Sequence, residues 1–228
     1  MKILAIDTAA EWCAACLFDD GSGGLLGLEA RDIGKGHAEA LMGVIGAALE
    51  RAGASYRDVE AIAVSVGPGS FTGVRIGVAT ARGLSLALKV PAAGVTTLAA
   101  LAFEAEPLAN GRPVLAVLDA RRDEFYAALY GPGGAVHAAP AILDLNAAVA
   151  MAGLMKPLIV GSGARLVAEA AGLDGNATAL ADLRTAAIET VARLAARQGF
   201  AGEKPRPLYL RGPDARPQDG FALPRSGA

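Results

Sequence analysis

The chain has 228 residues, 53% of them hydrophobic and only 5% aromatic, with 29 glycines and a formal net charge of −2. That length accommodates one large or two small domains with proper cores, and the abundance of small residues favours close-packed α/β layers. The weak net charge announces no basic nucleic-acid surface, although it leaves room for a local patch, and no run of about 18 apolar residues marks a membrane span.

The opening MKILAIDT reads as a strand, with Asp7 interrupting any signal-peptide core, so the chain is expected to be cytoplasmic. Lys2 to Ile6 is a buried strand ending at Asp7-Thr8. Trp12 to Phe18 is a second strand and Leu25 to Arg31 a third, joined by a glycine-rich turn. Cys13 and Cys16 form a C-x-x-C spacing, which on a helix or turn reads as a redox pair. On a strand, positions three apart face opposite ways, so neither a bridge nor a zinc site is expected. Gly34-Lys35-Gly36 leads into a helix from His37 to Ala52 with Leu41, Val44, Ile45, Ala48 and Leu49 on its apolar face. Ala40, Gly43 and Ala47 give it a second, small-residue flank.

The most informative stretch is Ala61 to Leu88, a buried strand, a glycine loop (Gly67 to Gly73) and a helix from about Val74. This order makes a candidate anion site, with Ser70 or Thr72 as helix cap. It is neither a P-loop nor a dinucleotide loop, because Val74 and Arg75 follow Gly73 and Thr72 stands where the third glycine belongs. A tight turn that lets two elements pack closely explains it equally. The helix carries only Arg75 and Arg82 as charges, on one face, and Gly73, Gly77, Thr80 and Leu84 on another. A helix so apolar is covered on more than one side, either by its own sheet alone or by a partner helix as well. Pro91 to Val95 is a short strand, and Thr96 or Thr97 caps the next helix, which ends near Asn110-Gly111.

The second half begins again. Val114 to Leu118 is a strand ending in Asp119, Phe125 to Tyr130 and Val136 to Leu143 are strands, and Asp144 to Gly153 is a helix. Leu158 to Val160 is a buried strand, followed by Gly161-Ser162-Gly163 and a helix to Gly172. A last helix runs from Thr185 to Gln198, and the proline-rich tail holds one predicted strand at Leu208 to Leu210. ILAIDTAAEWCAACLFDDGSGG is similar to VLAVLDARRDEFYAALYGPGG, and SVGPGSFTG to IVGSGARL, so the chain contains an internal repeat. Two such copies facing each other form the α/β, actin-like (ASKHA) duplicated fold, each subdomain a mixed sheet flanked by helices. The predicted divisions are 1–103, 104–203 and a tail, 204–228, packing back on one or other domain.

That arrangement sets a nucleotide cleft around Asp7, Thr8, Gly67, Gly69, Ser70, Asp119, Gly161 and Gly163. A free-standing kinase or ATPase would need Mg²⁺-holding carboxylates there, supplied by Asp7 and Asp119. However, the loop Thr8-Ala9-Ala10 offers no Lys, Arg or Gly to a phosphate. A metal pair on the first helix would need a histidine four residues after His37, where Leu41 stands, and the other histidine, His137, lies in the second half. No metal site is expected, and a metalloprotease is argued against.

KILAIDTA, His37 at the first helix, GPGSFTGVRIGVATARGL, GVTTLAAL, VLDARRDEFYAALY and PLYLR together resemble the bacterial TsaB family, also called YeaZ, from residue 2 to about Arg211. The resemblance implies a non-catalytic assembly subunit, related to TsaD and pairing with it. With the TsaE ATPase, the two place threonylcarbamoyl on the adenosine beside the anticodon of tRNAs reading codons that begin with A. It implies that this chain requires no cofactor, that ATP or ADP and metal belong to the partner subunits, and that tRNA is met only through the complex. It also implies that the two small-residue helices form a bundle with TsaD, or with a second copy in a homodimer. The interface expected on that basis comprises His37, Ala40, Leu41, Gly43, Val44, Ala47, Gly73, Val74, Gly77, Val78, Thr80, Ala81 and Leu84.

Overall fold

Two copies of one unit, β-β-β-α-β-α-β-α, make up the chain, whose computed structural model describes residues 1–211. The first copy runs β1 (Lys2–Asp7), β2 (Trp12–Asp19), β3 (Gly24–Asp32), α1 (His37–Arg51), β4 (Ala61–Ser65), α2 (Phe71–Leu88), β5 (Ala92–Val95) and α3 (Thr97–Ala105). The second runs β6 (Val114–Asp119), β7 (Glu124–Tyr130), β8 (Val136–Asp144), α4 (Leu145–Met155), β9 (Leu158–Val160), α5 (Ala164–Ala170), β10 (Thr178–Ala179) and α6 (Ile188–Gln198). The sheet orders, β3-β2-β1-β4-β5 and β8-β7-β6-β9-β10, are the same order twice. In each, the first three strands pair antiparallel and the last two add in parallel. This is the actin-like duplicated fold expected from the repeat.

Strand alternation decides what each sheet buries. In β1, Leu4 and Ile6 point to an outer core built with α1 and α2, whereas Ile3 and Ala5 point to an inner one. In β6, Leu115 and Val117 face α4 and α5, and Val114, Ala116 and Leu118 face inward. The inner faces share a single core, and the helices filling it are exchanged. α3, the last element of the first copy, packs on β6 and β7, while α6, the last of the second, packs on β1, β2, β4 and β5. The boundary predicted after residue 103 therefore falls inside α3.

Cys13 belongs to the outer core and Cys16 to the inner one, both buried and unbridged. Local chemistry places the helix starts. Ser70 Oγ accepts from the Gly73 N–H, Thr96 from Ala99 and Asp144 from Ala147, each satisfying an orphan donor of the first turn. α2 thus begins three residues before the predicted Val74. The sequence gives no sign of β10, which is only two residues long. One expected strand is corrected. Leu208 to Leu210 is not a strand: it makes a single backbone bond, Leu208 N–H to the Val66 carbonyl at 2.8 Å, so no ladder forms. The tail instead crosses the molecule, from Pro205 beside Gly94 to Arg211, which pairs with Glu124 and donates to the Ala120 carbonyl at 3.2 Å. The expectation for the tail beyond Arg211 lies outside the described residues.

Candidate functional site

The loops after β1, β4, β6 and β9 meet at one edge, where the two halves enclose a cleft of about 630 Å³. Ala9, Glu11, Gly69, Ser70 and Phe71 line it from the first half; Asp119, Arg121, Tyr126, Ser162 and Arg184 line it from the second, with Arg211 from the tail. Of the residues expected there, the structure brings together Gly69, Ser70 and Asp119. The Asp119 carboxylate accepts from the Arg121 N–H at 2.7 Å, and its own N–H donates to Ser162 Oγ at 3.2 Å. Gly67, Gly161 and Gly163 are buried behind the wall, so they shape it without lining it.

Asp7 and Thr8 are not in the cleft. Both are buried beneath it. Asp7 accepts from the Ala9 N–H at 2.7 Å and from the Ser65 hydroxyl. Burial pushes its pKa from 3.8 up to about 6, although those hydrogen bonds and the nearby His37 favour the charged form. Thr8 Oγ1 donates to the Gly73 carbonyl at 2.7 Å, and the Ser70 N–H donates to the Ala9 carbonyl at 2.6 Å. The glycine loop is therefore docked on the end of β1. A Cβ at Gly69 would lie 2.2 Å from the Ala9 carbonyl oxygen. Two donors that the sequence aims at a phosphate, the N–H groups of Ser70 and Gly73, are used within the chain, and this loop reads as close packing.

Gly73 and Gly77 of the expected interface take part in the same contact. A Cβ at Gly73 would lie 2.0 Å from the Thr8 carbonyl oxygen, and one at Gly77 would lie 2.5 Å from Thr8 Oγ1. This small-residue stripe faces β1 of its own chain. Val74, Val78 and Ala81 are buried on the outer core with Leu41 and Val44 of α1. His37 is also buried, its Nε2 without a hydrogen-bond partner among the described residues. Thr80 and Leu84 are half-buried at the edge of that core. No local pattern signals this arrangement, because which stripe of α2 meets β1 depends on how the 67–73 loop docks.

What α1 and α2 leave outward is a different set. Met42 is 49% and Leu86 79% exposed. Gly43, Ala79 and Gly83 are exposed beside them, and Ala40, Gly46 and Ala47 are half-buried. A Cβ at Gly43, Gly46 or Gly83 would meet nothing within 4 Å. Among the described residues no three side chains able to hold a metal come together, and no helix is long and apolar enough to cross a membrane. His137 lies exposed on β8, against Gly131.

The family model for TsaD, tRNA N6-adenosine threonylcarbamoyltransferase, matches residues 27–197. The chain is 40% identical over 130 residues to the tRNA threonylcarbamoyladenosine biosynthesis protein TsaB of Escherichia coli (strain K12), across 57% of this chain and 55% of that protein. It thus spans about half the length of that relative. It is 36% identical over 158 residues to an uncharacterized protein of Mycobacterium tuberculosis (strain ATCC 25618 / H37Rv), across 66% of this chain and 71% of that one. The structure of YeaZ from Pseudomonas aeruginosa superposes with a TM-score of 0.73 at 30% identity, covering 92% of this chain and 99% of that one.

Proposed function

Since this chain belongs to the TsaD, tRNA N6-adenosine threonylcarbamoyltransferase, family, in its TsaB (YeaZ) branch, we propose that it is a non-catalytic subunit that pairs with TsaD, and with TsaE, to make threonylcarbamoyladenosine in tRNA. The observation that carries the pairing is the outer face of α1 and α2. Exposed Met42 and Leu86 flank Gly43, Gly46, Ala47, Ala79 and Gly83, three of them glycines that no intrachain contact requires. Each helix glycine costs about 1 kcal/mol against Ala, so a surface that keeps them suits the close approach of another helix. A second copy of this chain could use the same face. The lack of catalysis is supported by the cleft floor, where Thr8 and the glycine loop bond to each other and Asp7 is buried. Nucleotide and metal then act in the partner subunits.

The test has two parts. In a bacterium depleted of its own TsaB, the chain should restore threonylcarbamoyladenosine, read by mass spectrometry of digested tRNA. Purified, it should bind TsaD in calorimetry, and Gly83→Phe should weaken that binding tenfold or more without lowering the melting temperature of the subunit alone. Failure to bind TsaD removes the proposal. Mg²⁺-dependent ATP turnover by the chain alone, lost in Asp119→Asn, replaces it with the kinase reading.

A further inference from the structure

Where α2 opens onto the cleft, three side chains stack. The Arg75 guanidinium lies 3.6 Å from the centre of the Phe71 ring, and its Nε donates to Tyr209 Oη at 2.7 Å. The Phe71 and Tyr209 rings are tilted against each other with centres 5.8 Å apart. Tyr209 is brought there by the tail, which Leu208 fixes to Val66.

A stack that served only to pin the tail would bury its rings. Here Phe71 remains 58% and Tyr209 52% exposed. Arg75 makes no ion pair among the described residues. Phe71 also lines the cleft, and so do Arg121, Arg184 and Arg211, of which Arg184 pairs with Glu11 and Arg211 with Glu124. Arg121, Arg122 and Asp123 follow one another in the left-handed conformation, uncommon for residues other than glycine, at the tip of the β6–β7 turn that forms this rim. The cluster joins exposed ring faces, a guanidinium on an aromatic, and cationic side chains across a gap. Aromatic faces take unstacked bases, and arginines take the phosphates between them.

We propose that the Phe71–Arg75–Tyr209 cluster and the cleft rim beside it form a contact site for single-stranded RNA, one unpaired base stacking on the aromatic pair and its neighbouring phosphates facing Arg75 and Arg121. That the RNA is a tRNA anticodon loop rests on the function proposed above; the stacking chemistry does not. The site is separate from the outward face of α1 and α2, since it sits at the first turn of α2 whereas Gly83 and Leu86 lie in its last turns.

The experiment measures fluorescence polarisation of a labelled anticodon stem-loop RNA with the full chain, alone and bound to TsaD. The paired substitution Phe71→Ala with Tyr209→Ala should weaken binding about tenfold, and Phe71→Tyr should retain it. Arg75→Gln should weaken binding and flatten its dependence on salt. A blunt duplex without a loop should bind less well and respond to neither aromatic change. Unchanged loop affinity in the paired variant, with an unchanged melting temperature, overturns the proposal. Equal losses for loop and duplex in the paired variant overturn it, because an unpaired base would then not be what the rings hold. So does a loss of TsaD affinity with RNA binding intact, which would make the cluster a protein contact, and so does complete displacement of the RNA by a mononucleotide. Failure of the chain to restore threonylcarbamoyladenosine, with the aromatic dependence intact, removes the proposed function and leaves this site standing.

Discussion

A methyl group separates two kinds of glycine on α2. At Gly77 it would press on Thr8 Oγ1, whereas at Gly83 it would meet open space. Gly77→Ala should therefore destabilise the chain by about 1–3 kcal/mol through overpacking. Gly83→Ala should stabilise it by up to about 1 kcal/mol through helix propensity. Thermal melts of the subunit alone check both; equal shifts in one direction would mean that propensity alone governs the helix. Asp7 offers a second test. Its carboxyl is held at about 6 in the folded chain against 3.8 as a free group, so between those values the folded state binds more protons than the unfolded one. Stability then falls as pH rises from about 4 to about 6, and stays lower above that range. Asp7→Asn removes the buried charge and can keep the bond from the Ala9 N–H. It should raise stability at pH 7 by at most about 3 kcal/mol, a gain that shrinks below pH 6 and is gone near pH 4. A gain of equal size at pH 4 and pH 7 would show that the charge is not its source.

Among the elements, β2 shows how strictly a strand sorts its side chains. Cys13 and Cys16 sit in different cores, on opposite faces of one sheet, and burial pushes their thiols up to about 11 and about 12. Neither should react with an aromatic disulfide reagent at pH 8 in the folded chain, and both should react once it is unfolded. Rapid labelling of one native thiol would contradict this burial. The strands, their order of appearance and the repeat were legible because period-two alternation and glycine turns are local signals. β10 was not, because two residues carry no period. The facing of α2 was not either. Its composition shows a helix covered on two sides, but which stripe meets the chain's own strand depends on how the 67–73 loop docks on β1. Asp7 and Thr8 read as cleft residues for the same reason, since a strand end looks the same whether it is open or capped by a neighbouring loop. The Phe71–Arg75–Tyr209 cluster joins residues 134 positions apart, a juxtaposition that no local pattern reports.

For the whole molecule, the shared inner core predicts one unfolding event. Leu98 and Leu101 of α3 and Val191 and Ala195 of α6 are fully buried in it between the two sheets. Leu101→Ala should cost about 2–5 kcal/mol. It should lower the transition seen by the fluorescence of Trp12, the sole tryptophan, in the first half, and that seen by far-ultraviolet circular dichroism by the same amount. Two separated transitions would mean that each half stands alone. The exchanged helices argue against that outcome on geometric grounds. A single copy of the repeat, translated by itself, would have ended in a helix with no sheet of its own to cover and would have left the inner face of its sheet bare. Two such chains could satisfy each other only by trading those last helices. Through α3 and α6, each half thus closes the core that the other half leaves open, so the chain behaves as a dimer of its own two repeats.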